Sequence, residues 1–82
     1  MIFLIEYDRE AGRLVTFEVF DDSDQSKAEN SRLELELRLN RQSTDHEVVL
    51  LQATSEEALH QTHRRYFETP REIVRSTSTS LG

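Results

Sequence analysis

Apolar residues recur along this chain at two different periods. "IFLIEYD" (Ile2–Asp8) and "LVTFEVF" (Leu14–Phe20) are short runs of β-branched and aromatic residues, separated by "REAGR". The composition and length of the runs predict two strands, and Gly12 supplies a residue free to take positive φ in the connection, so the pair reads as a β-hairpin. In the second run Val15, Phe17 and Val19 share one face, with Thr16 and Glu18 on the other. The first run is apolar on both faces, Phe3, Ile5 and Tyr7 against Ile2 and Leu4. That pattern suits a central strand.

The next segment carries conflicting signals. "SRLELELRLN" (Ser31–Asn40) places leucine at every second position, the period of a half-buried strand. Yet leucine, glutamate and arginine favour helix, Glu34 and Arg38 form a favourable i,i+4 pair, and neither glycine nor proline occurs between Asp22 and Asn40. Asp22 with Gln25, and Ser26 with Glu29, have capping-box spacing. Acids clustered in the first turn also complement the helix dipole. The balance predicts a helix from about Asp24 to Leu39. Wound at about 100° per residue, Leu33 and Leu37 fall on one side, while Ala28, Leu35 and Leu39 fall roughly opposite. One side is expected to cover the sheet, and the other needs a second cover.

After the polar "RQSTD", the segment "HEVVLLQATS" holds Val48–Leu51, a continuous apolar run of the buried-strand type. Thr54 with Glu57, or Ser55 as cap, opens a second helix, "SEEALHQTHRRYFE", ending before Pro70. Its expected inner stripe is Leu59, Thr62, His63, Tyr66 and Phe67. The order ββαβα predicts a small two-layer α+β sandwich, a mainly antiparallel three-stranded sheet with both helices on one face. Strand order 2-1-3 is preferred over 1-2-3, because the doubly apolar first run belongs in the middle. Residues 1–69 are read as a single domain. Residues 70–82 are read as a Ser/Thr-rich tail, frayed from about Ser76, with Ile73 and Val74 its one adjacent apolar pair.

Composition sharpens this. At 82 residues, 35% apolar and without cysteine, the chain has a marginal core and no disulfide or thiolate metal site to reinforce it. Such chains often complete their core by oligomerising. The start "MIFLI" is too short to span a bilayer and lacks a basic lead-in, so it is read as a strand of a cytoplasmic protein without membrane attachment. The net charge of −6 opposes phosphate backbones on average. It is unevenly spread: 14 acids and 6 bases in residues 1–60, against 2 acids and 4 bases in residues 61–82.

Candidate chemistry is sparse. His60 and His63 are three apart, but a zinc site needs further donors, for which only Glu56, Glu57 or His46 offer themselves, and HExxH spacing is absent. "HRRYF" combines Arg64 and Arg65 with aromatics, the ingredients of phosphate contact and base stacking, here beside an acidic body. "QATSEE" could hold an anion at a helix start, but it lacks glycine and already carries Glu56 and Glu57. The acids around Asp21, Asp22 and Asp24 lack EF-hand spacing. No nucleophile elbow, phosphate loop or dinucleotide fingerprint is present in the sequence. The reading therefore expects no enzyme, no cofactor, no metal and no small-molecule ligand. It expects a non-enzymatic protein-interaction or regulatory module, a homodimer or a binder of another protein, with Leu33, Leu37, Leu35 and Leu39 as candidate contact residues. The alternative is a nucleic-acid-associated accessory protein using His60, Arg64 and Arg65.

Overall fold

The computed structural model describes residues 1–68. Strands β1 (Ile2–Asp8), β2 (Arg13–Phe20) and β3 (Glu47–Gln52) form one antiparallel sheet in the order β2-β1-β3, with helices α1 (Gln25–Arg41) and α2 (Glu56–Thr62). The α+β class, the three strands and their order are those expected. The doubly apolar first run is indeed central: from Ile2 to Tyr7 every residue of β1 is buried.

The hairpin closes on Asp8, whose Oδ1 accepts from the amides of Glu10 and Ala11 at 3.0 Å each, while Gly12 takes φ 68°. The register shifts between Glu6 and Tyr7, which pair with Thr16 and Leu14, so Val15 is the extra residue of a β-bulge. Asp21 caps a 3-10 turn (Asp22–Asp24) by accepting from the Ser23 amide at 3.1 Å, and α1 follows directly. Asp24, the N-cap of α1 itself, makes no side-chain capping bond, so neither of the two boxes read from the sequence forms. At the far end, Thr44 N donates to Leu39 O (2.9 Å) around Ser43 at φ 52°, a left-handed helix stop without glycine.

Residues 32–40 are helical, so the propensities of leucine, glutamate and arginine prevail over the alternation. The placement of the helices departs from expectation: they lie on opposite faces of the sheet. Phe3, Ile5 and Tyr7 pack with Leu59 and Tyr66, whereas Leu4 packs with Leu35 and Leu39. Consecutive β1 residues point to opposite sides, so these clusters are two separate cores and the molecule has three layers. The physical reason is already present in β1. A strand apolar on both faces needs a cover for each, and one layer of helices supplies only one.

The second helix is also shorter than expected. It ends at Thr62, His63 adopts φ −129° and ψ 50°, and a 3-10 turn (Arg64–Tyr66) follows. This break lowers Tyr66 and Phe67 onto the sheet, where Phe67 meets Phe17 edge-on at 5.6 Å and Tyr66 meets Tyr7 at 5.3 Å. Ser55 is the cap, accepting from Ala58 N at 3.1 Å. The expectations for residues 70–82 lie outside the described residues.

Candidate interaction surface

Helix α1 sorts its four leucines into two pairs. Leu35 and Leu39 are 6% exposed and packed on Leu4, Val48 and Leu50; Leu33 and Leu37 are 53% and 50% exposed. Leu35 and Leu39 are therefore core, a correction to their candidacy as contact residues. Leu33 and Leu37 stand one turn apart on the solvent side, on a helix otherwise studded with charge. Beside them Arg32 Nε and Glu36 Oε1 approach to 3.8 Å. Two shallow grooves run between α1 and β3: one passes Gln25, Glu29, Arg32 and Gln52, the other Glu36, Asn40, His46 and Val48.

The residues of the alternative reading are engaged with their own chain. His60 stacks on Phe67, with ring centroids 3.7 Å apart. Its Nε2 lies 3.5 Å from Glu56 Oε1 but makes no hydrogen bond. His63 sits instead beside Tyr66, with Nδ1 2.8 Å from Thr62 Oγ1. The two imidazoles are thus held against different partners. Arg64 reaches Glu68 at 3.3 Å, and Arg65 reaches Glu47 at 2.8 Å while lying 4.2 Å over the Tyr66 ring. Each guanidinium group thus pairs with one carboxylate of its own chain. The Tyr66 hydroxyl also donates to Glu47, and burial together with that bond to a carboxylate pushes its pKa up to about 12.

One polar cluster escaped the sequence reading. Glu6, 3% exposed on the central strand, accepts from Thr16 Oγ1 at 2.6 Å and contacts His46 Nδ1 at 2.6 Å. The other ring nitrogen of His46 lies 3.6 Å from Asp8 Oδ2. Burial works to raise the Glu6 pKa, but the hydrogen bonds from Thr16 and His46 and the charges of His46 and Arg38 outweigh it and lower the value. Glu6 hydrogen-bonds one ring nitrogen and Asp8 lies beside the other, a bridge between β1 and the approach to β3. Among the described residues no group of three or more acids and histidines is arranged to hold a metal ion, and no helix is long and apolar enough to cross a membrane. Compared with protein-family models, curated proteins and solved structures, this chain matches none.

Proposed function

We propose that this chain is a non-enzymatic protein-interaction module that associates with a second copy of itself through the side of the molecule bearing α1. The supporting observation is the half-exposed pair Leu33 and Leu37 on a helix whose other side is already buried in the sheet. In an 82-residue chain only 35% apolar, two leucines in register on one helix side are a concentrated apolar feature. His60 and Arg65 fit a different role, closing the α2 face of the sheet through stacking on Phe67 and an ion pair with Glu47, while Arg64 pairs on the surface with Glu68.

Sedimentation velocity from about 1 to 100 μM tests the reading. A concentration-dependent shift from monomer to dimer is expected, and the Leu33→Glu/Leu37→Glu variant should remain monomeric while retaining the wild-type far-UV spectrum. A wild-type chain that stays monomeric over the whole range overturns the proposal. So does a double variant that unfolds, because those leucines would then be part of the core.

A further inference from the structure

The two edges of the sheet differ. Edge strand β2 carries a bulge at Val15 and exposed Arg13 and Glu18, devices that discourage another strand from pairing. Strand β3, the other edge among the described residues, pairs with β1 without irregularity, and its centre, Val48–Leu51, holds no charge, proline or glycine. The direction of its backbone groups follows from the ladder. Ala53 exchanges both backbone bonds with Met1, at 3.1 Å each. In an antiparallel pair this property alternates, so Glu47, Val49 and Leu51 bond to β1, whereas Val48, Leu50 and Gln52 turn theirs toward the open edge.

We propose that two copies join β3 to β3 antiparallel about a two-fold axis at Leu50, giving a continuous six-stranded sheet. This rests on the self-association reading above and names its contact. Leu50 then faces Leu50 of the second copy, and Val48 faces Gln52, which engages the three outward-facing residues of each strand in about six backbone bonds.

The helices fit this arrangement without adjustment. Helix α1 lies mainly over β1 and β3, since Leu35 and Leu39 pack with Leu4, Val48 and Leu50, and Phe20 is the one residue of β2 in the cluster. With strands about 4.8 Å apart, its axis stands about 5 Å from the two-fold, so the two copies of α1 run antiparallel at about 10 Å, the spacing of packed helices.

The charges then complement one another. Along α1, Gln25, Glu29 and Arg32 neighbour Leu50 and Gln52, while Glu36 and Asn40 neighbour Val48. The axis therefore passes the turn from Arg32 to Glu36, and each Arg32 meets Glu36 of the second copy. Leu33 is drawn into the cleft between the helices, and Leu37 stays at its outer margin.

The test combines sedimentation with amide hydrogen exchange read by NMR at several concentrations. The amides of Val48, Leu50 and Gln52 should gain protection as dimer forms. Arg32→Glu and Glu36→Arg should each weaken the homodimer about tenfold, and mixing the two variants should restore association as a heterodimer. Leu37→Glu alone should shift the dimer Kd by less than about threefold. A dimer whose three edge amides exchange as freely as in the monomer, and which Leu37→Glu dissociates, overturns the edge pairing and leaves self-association standing through the outer stripe. Protection that is independent of concentration also overturns it, since the edge would then be covered within a single copy. A wild-type chain monomeric throughout removes both proposals.

Discussion

Glu6 Oε2 lies 2.6 Å from His46 Nδ1 and ties the centre of the sheet to the loop that leads from α1 into β3. The carboxylate is among the most buried side chains of the α1 core, yet it is held in its charged form by Thr16, His46 and Arg38. A depressed carboxylate pKa contributes stability that is fully present above the unfolded value of 4.5 and is lost as pH falls through the lower folded value. Wild-type stability, measured by urea denaturation, should therefore decline on acidification below pH about 4.5. Glu6→Gln should cost about 1–2 kcal/mol at neutral pH and flatten the decline. An unchanged acid limb in the variant would show that Glu6 is not its source.

The two leucine pairs of α1 should respond differently to truncation. Leu39→Ala removes a side chain from the contact with Leu4 and Val48, and should destabilise the fold by about 2–4 kcal/mol. Leu37→Ala, half exposed, should change monomer stability by less than about 1 kcal/mol. Denaturation at sub-micromolar concentration separates these effects from any dimer contribution.

Tyr66 offers a spectroscopic handle on the opposite face. Its phenol, raised to about 12 by burial and the Glu47 carboxylate, stays neutral while an unfolded tyrosine ionises near 10. The stability it supplies is complete below pH 10 and lost as pH climbs toward 12. Absorbance at the tyrosinate band should show a late phase near pH 12 that Tyr66→Phe abolishes. If the late phase persists in the variant, the strongly shifted phenol is another one.

The extent to which the sequence foretold this molecule depends on the range of each interaction. The hairpin, the strand order and the helicity of residues 32–40 were legible, because strand composition, the two-faced pattern of β1 and helix propensity are each written over a few neighbouring positions. The opposite-face placement was implicit in Ile2 and Leu4 against Phe3 and Ile5. That pattern indicated a central strand, but it also required two covers. The break at His63 was hidden, since "HQTHRRYFE" is acceptable to a helix and only the docking of Tyr66 and Phe67 ends it. Glu6 with His46 was invisible for a different reason. Forty positions separate them, and the β1–β3 register, Glu6 opposite Val48, is what brings them together. The sequence showed that one leucine pair of α1 would be left uncovered but not which one; the pair left exposed is Leu33 and Leu37, while Leu35 and Leu39 went to the core, because α1 has one sheet beneath it and one side free.

Strand β1 is flanked by one neighbour that follows it within a few positions and another that begins at Glu47, with seventeen helical residues between. On the ribosome the hairpin would emerge first, with Ile2 and Leu4 bare on one side and an unpaired rim along β1. Only when Gln52 clears the exit tunnel can that rim be closed. Until then the nascent chain exposes its greasiest segment, and α1, folding in the interval, can shelter only the Ile2 and Leu4 side of it.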